Sequence, residues 1–168
     1  MKDVLEYVIR RATKGVIFDT NVLLVFLVGL WNVKKISRFK RTSAYNEKDF
    51  ELLLAIAQTV GKLVTTPHIL TETCNLCDTY NRQHGNEIYG GIVNLVNNVV
   101  ERRQEAVRLT SDPLFLTFGL ADMSLIDASR HHHLVVTDEA SCYAAISNMG
   151  GLVVNLNHFR SAIWLAEK

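Results

Sequence analysis

Cysteine is scarce in this sequence: Cys74, Cys77 and Cys142 are the three in 168 residues. An odd, small number without a repeating framework excludes a disulfide scaffold. Proline is scarcer still, with two. Neither low-complexity linkers nor internal repeats are present, so a single domain over residues 1–168 is expected, with its core in 15–160. An excess of one charge is also missing. The formal net charge is +1, which excludes a global basic field and leaves any nucleic-acid binding to a local patch. The apolar run VLLVFLVGLW (22–31) is about half of the ~20 residues that a membrane span needs. The N-terminal MKDVLEYVIRRATKG has no continuous apolar stretch like that of a signal peptide. No membrane contact and a cytoplasmic location are therefore expected.

What is present is a folding chain, 48% hydrophobic and 21% charged. Short apolar runs at 16–18, 63–65, 134–137 and 152–155 read as strands. Between them lie helical patterns at 2–12, 21–30, 49–60, 120–131 and 139–148. A further helix is expected from the Thr66-Pro67 cap to about Tyr80, and another over 88–107. The tail after His158 also reads as helix. Residues 32–48 are polar and basic, and read as a loop or an irregular helix. Strands that are short, continuous and apolar, alternating with helices, predict an α/β fold. Its sheet is parallel, has four to five strands and is covered on both faces. Function in such sheets collects at the carboxyl ends of the strands.

Four acids can reach that edge. Asp19 follows the first strand and Asp138 follows LVVT. Glu72 lies five residues beyond Pro67, only about 7.5 Å of helix rise. Asp122 begins a helix of about 18 Å that runs back against a strand of roughly 15 Å, so it too lies near the carboxyl ends. Clustered carboxylates cannot all ionise without compensation. A hard cation such as Mg²⁺ or Mn²⁺, which prefers carboxylate and water oxygens, supplies it.

Each acid also has a plain structural reading. Asp19 and Asp138 sit where aspartate caps helices, Asp122 sits in a first helical turn, and Glu72 can be a solvated helix residue. What favours the metal reading is their joint placement at one edge. Cys74-x-x-Cys77 lacks the second ligand pair that zinc requires and reads as core. His131-His132-His133 lies between a helix and a strand, where one ring caps helix carbonyls and the others face water. Asn94, Asn97 and Asn98 read as a solvated helix face.

The segments VIFDTNVLL (16–24), VTTPHILTETCNL (64–76), GLADMSLIDAS (119–129) and VVTDEA (135–140) together resemble, in order, the four motifs of the PIN-domain nucleases. The resemblance spans residues 16–140. It implies a Rossmann-like PIN fold, Mg²⁺ or Mn²⁺ dependence, and endonucleolytic hydrolysis of single-stranded RNA. It carries Asp19, Glu72, Asp122 and Asp138 over as catalytic metal ligands, with Asn21 and Thr137 as supporting groups. Many small members are toxins, so an antitoxin or other regulatory protein is implied as a partner, and a homodimer is left open. The alternative is a catalytically silent PIN-like scaffold that binds RNA or protein. A haloacid-dehalogenase-like phosphatase would need Asp-x-Asp after the first strand, where this chain has Asn21. A Rossmann-type nucleotide binder would need G-x-G-x-x-G there, and no glycine loop follows that strand.

Between the first two motifs lies an insert, about residues 31–48. It carries Lys34, Lys35, Arg38, Lys40 and Arg41, with Trp31, Phe39 and Tyr45 interleaved. Cations pair with phosphates and aromatic rings stack on bases, so this segment is expected to grip the substrate backbone.

Overall fold

A run of Val, Ile, Leu and Phe too short to be a helix satisfies its backbone by pairing with other such runs. Five do so here. The computed structural model describes the backbone of residues 2–84 and 87–160, and the side chains of residues 7–78 and 87–160. In chain order the elements are α1 (Lys2–Arg11), β1 (Val16–Phe18), α2 (Thr20–Asn32), α3 (Glu47–Val60), β2 (Leu63–Thr65), α4 (Pro67–His84), α5 (Glu87–Asn98), β3 (Val100–Glu101), α6 (Ala106–Thr110), α7 (Phe115–Arg130), β4 (Leu134–Thr137), α8 (Ala140–Asn148) and β5 (Val153–Asn155). Residues 156–160 are helical again; the rest of the expected C-terminal helix lies outside the described residues.

The strands form one all-parallel sheet in the order β3-β2-β1-β4-β5. This is an α/β architecture consistent with a Rossmann-like fold. β1 and β4 are buried along their whole length, as strands with both faces covered must be. β1 is the switch point of the topology: the chain builds outward to β2 and β3 on one side, then to β4 and β5 on the other. Such a sheet leaves a crevice beyond the carboxyl ends of the two strands that flank the reversal. The residue following β1 is Asp19, and the residue following β4 is Asp138.

Local chemistry sets most of the boundaries. Thr66 accepts the Ile69 amide through its hydroxyl at 3.2 Å, capping α4 ahead of Pro67. Asn46 and Asp49 form a capping box at the start of α3, which ends at Gly61 in the left-handed conformation. Among the described residues, no helix is long and apolar enough to cross a membrane.

Three expectations need correction. The helix expected over 88–107 stops at Asn98, because the chain beyond it joins the sheet edge as β3, where the Arg102 amide donates to the Thr65 carbonyl at 2.8 Å. The helix carrying Asp122 is preceded by another turn, from which it is separated at Gly119 (φ 72°, ψ −175°). Of the three histidines, His131 and His133 both bond helix carbonyls, those of Asp127 and Ala128. His133 is buried, and His132 is the exposed one, with a φ of 64°.

Gly15 fixes how β1 meets β2. Its φ is 114°, and an added Cβ would stand 2.8 Å from both the Lys62 carbonyl oxygen and Val64 Cγ2. Gly15→Ala should therefore cost roughly 1–3 kcal/mol, read as a lower urea midpoint with an unchanged denaturant slope.

Candidate metal centre

Asp19 is where the site is tied together. It caps α2, with Oδ1 accepting the Val22 amide at 2.7 Å. Its other oxygen, Oδ2, accepts the Asp138 amide at 2.9 Å, across the gap between β1 and β4. The Thr137 hydroxyl bonds the same carboxylate. Burial is nevertheless the dominant influence on Asp19, and Asp138 adds like charge. Together they push its pKa up to about 7 against three hydrogen bonds that favour the anion.

Asp138 is held from two sides. Asn21 Nδ2 donates to its Oδ1 at 3.3 Å. The Tyr45 hydroxyl donates to Oδ2 in a very short bond. Glu72, exposed on α4, accepts the Thr20 hydroxyl at 2.7 Å. Asp122 enters through α7, which is pinned near the start of α4 by the Ser124–Thr66 hydroxyl contact at 2.9 Å. Burial raises the Asp122 pKa, followed by the charges of Glu139, Glu72 and Asp138, to about 6. Those influences put Glu72, Asp122, Asp138 and Glu139 in one electrostatic neighbourhood, which Asp19 joins through Asp138. Glu72 and Asp122 also line a cleft of about 400 Å³.

Among the described residues, none of these five carboxylates forms an ion pair. Nor do three Asp, Glu, His or Cys side chains stand close enough together to make a finished metal cage. The donors nonetheless suit a hard divalent ion: they are carboxylate oxygens, several facing like charge. Cys142 lies buried beneath them, and burial, then the charges of Asp122, Asp19 and Glu139, hold its thiol protonated. A soft-metal site would need the thiolate. Cys77 is likewise a core thiol, pushed up to about 12 by burial and by Cys74.

The basic insert behaves differently from its expectation. Phe39 and Tyr45 are turned inward, at 5% and 7% exposure, so neither ring is free to stack on a base. The Lys35 ammonium sits 3.6 Å over the Trp31 ring and 3.5 Å from Glu87. Lys34, Arg38, Lys40 and Arg41 are exposed. The far end of the segment does return to the acidic edge, through Tyr45 and through Arg160, which bonds the Ala44 carbonyl and pairs with Asp49 at 3.0 Å.

Sequence reasoning did not single out Thr20, His68 or Glu139, and it read Tyr45 as a ring for base stacking rather than as a donor to Asp138. Thr20 and Glu139 adjoin expected ligands, and His68 precedes Glu72 by one helical turn, so adjacency and i,i+4 spacing could have found these three. Nothing local marks Tyr45 as a donor to Asp138. The chain matches no protein-family model, no curated protein and no solved structure.

Asp19 and Asp122 have folded pKa values above the unfolded 3.8. Their contribution to stability is fully present below about pH 4 and is lost as pH rises through about 6 for Asp122 and about 7 for Asp19. His133, which burial keeps neutral below its ordinary 6.5, acts in the opposite direction. The difference between variants isolates the carboxylate. In EDTA, Asp122→Asn should melt higher than the parent at pH 8, and the gain should vanish near pH 4.

Proposed function

We propose that this chain is a divalent-metal-dependent endonuclease acting on single-stranded RNA, as the resemblance to PIN-domain nucleases implies. The observation that carries the reading is the uncompensated acidic edge. Asp19, Glu72, Asp122 and Asp138 come from four separate segments to the topological switch point, and two of them are raised well above ordinary carboxylates. Perturbed acids gathered in a crevice are characteristic of functional sites.

Asp19, Asp122, Asp138 and Glu72 are the residues that would hold Mg²⁺ or Mn²⁺. When bound, the ion supplies water activation and neutralises charge on the phosphate. The chain supplies orientation. Asp19 is fixed at both oxygens by backbone amides, Asp138 by Asn21 and Tyr45, and Glu72 by Thr20. In hydrolysis, water adds to phosphorus, one ester oxygen departs, and that oxygen gains a proton. The acidic edge also disfavours a phosphate backbone unless cations accompany it, which makes substrate binding and metal binding interdependent.

The scaffold reading draws on the absence of a finished cage among the described residues. One experiment separates the two. Single-stranded RNA incubated with Mn²⁺ should be cut, EDTA should stop cutting, and Asp19→Asn or Asp122→Asn should lower kcat by about a hundredfold or more. Cleavage that survives EDTA, or full activity of Asp122→Asn at limiting metal, overturns the metal mechanism.

The exposed cations of the insert are proposed as partners of the substrate backbone. Changing Lys34, Arg38, Lys40 and Arg41 together to Ala should raise KM with kcat nearly intact. It should also flatten the salt dependence of binding by about 0.7 in log–log slope for each phosphate that is no longer neutralised. Unchanged KM and slope would free this segment for another partner. The resemblance implies a regulatory protein such as an antitoxin as one candidate, and a second copy of the chain is the other.

A further inference from the structure

One side of the acidic edge opens into a cleft with two unlike walls. The α4 wall presents His68, Thr71, Glu72 and Asn75, spaced i, i+3, i+4 and i+7 on one helical face. The opposite wall is Phe118, Gly119, Leu120, Ala121 and Asp122 at the broken start of α7. The break sets this wall. Gly119 adopts φ 72° with ψ −175°, a conformation open essentially to glycine alone. A Cβ there would meet nothing within 4 Å. The chain thus leaves the helical path between Phe118 and Asp122, and both side chains line the same space. The cleft, about 400 Å³, falls in the range of small-ligand sites.

Its chemistry is graded. Glu72 and Asp122 form the charged end shared with the acidic edge. Thr71 spends its hydroxyl proton on the Pro67 carbonyl at 2.8 Å, so it faces a ligand as an acceptor. Asn75 is exposed and carries both donors and an acceptor. His68 Nε2 is buried without a hydrogen-bond partner among the described residues. Phe118 is half-buried, packs against the core and lines the cleft.

We infer that this cleft is a nucleobase subsite, in which Phe118 stacks on the base beside the phosphate at the acidic edge while Thr71 and Asn75 meet the base's polar rim. The inference rests on the nuclease reading and adds which nucleotide-facing surface selects single strands. A base can lie on Phe118 only when it is unpaired and splayed from its neighbours.

The test uses the full chain and a short labelled single-stranded RNA. Binding is followed by fluorescence anisotropy with Ca²⁺, and cleavage by steady-state kinetics with Mn²⁺. Phe118→Ala should raise KM and the dissociation constant about tenfold, in line with losing one stacked base. It should leave kcat within about threefold, as loss of uniform binding does, and leave the Mn²⁺ midpoint of thermal stabilisation unmoved. Phe118→Trp should bind at least as tightly as the parent, and Phe118→Leu should behave like the alanine variant. Asn75→Ala should change the ranking of the four homopolymer RNAs. An unchanged KM in Phe118→Ala, or a leucine variant equal to the parent, overturns the subsite. So does a variant whose melting temperature and kcat fall together without rescue by tryptophan. A parent protein that neither cuts RNA nor is stabilised by Mn²⁺ overturns the nuclease reading, and the subsite with it; that result is visible before any variant is made.

Discussion

The Asp19 carboxylate does two jobs whose geometry is hard to separate. One oxygen holds the first turn of α2 and the other holds the backbone where the chain leaves β4. The first bond starts the helix that fills the core beside β1, and the second registers the ends of the two strands that flank the switch point. Both bonds require an anion or a good acceptor at a place only 5% exposed. The cost of that burial is visible in its raised pKa. The structural reading of Asp19 as a helix cap and the functional reading as a metal ligand are therefore not rivals. The cap fixes the carboxylate, and a fixed carboxylate beside Asp138 is what a cation would require.

The insert shows how a segment outside the sheet can act on its edge. Ile36, Phe39 and Thr42 are buried, and the Thr42 hydroxyl donates to the Ile36 carbonyl at 2.7 Å. This fixes a compact turn. Arg160 closes it by bonding Ala44, pairing with the buried Asp49, and lying 5.0 Å over the Tyr45 ring. Tyr45 is delivered to Asp138 as the result. Burial, then its bond to Asp138 and the charges of Asp138 and Asp19, push the phenol well above its ordinary range, so it remains a donor at any physiological pH. Ligating carboxylates in metal sites are commonly oriented by such outer donors.

The features legible in the sequence were those written in local chemistry. β1 and β2 could be read from apolar runs beside Gly15 and Gly61, and α4 from Thr66-Pro67. The ends of β1 and β4 then placed Asp19 and Asp138 without any knowledge of the sheet order. The rest depends on partners distant in sequence. Residues 88–98 and 99–107 share one apolar periodicity, and only the open edge of β2 draws Val100 and Glu101 into the sheet. Phe39 and Tyr45 look like exposed aromatics among cations until the core beneath them is known. Gly119 directly precedes the helix expected over 120–131, and the sequence does not reveal that a further helical turn, from Phe115, runs into it.

Two aspartates on α7 make the strongest internal comparison. Asp127 and Asp122 lie five residues apart on one helix, and burial raises the energy of both anions. The fold answers Asp127 with Arg102 at 2.7 Å, Gln104 at 2.8 Å and Arg108 at 3.5 Å. Its pKa accordingly falls below the ordinary value in spite of burial. Among the described residues, Asp122 faces the like charges of Glu139, Glu72 and Asp138. The same helix, in the same fold, thus neutralises one buried acid with protein cations and leaves the other facing acids. An arginine near Asp122 would have removed the strain at little structural cost, as Arg102 does one turn further along. With no protein cation paired to Asp122 among the described residues, the carboxylates would be open to a diffusible one under the proposed function. The raised pKa of Asp122 bears on the proposed metal: a divalent ion held there would displace a proton and relieve like-charge repulsion together. Metal affinity should consequently climb with pH through about 6, where the protein without metal is losing stability.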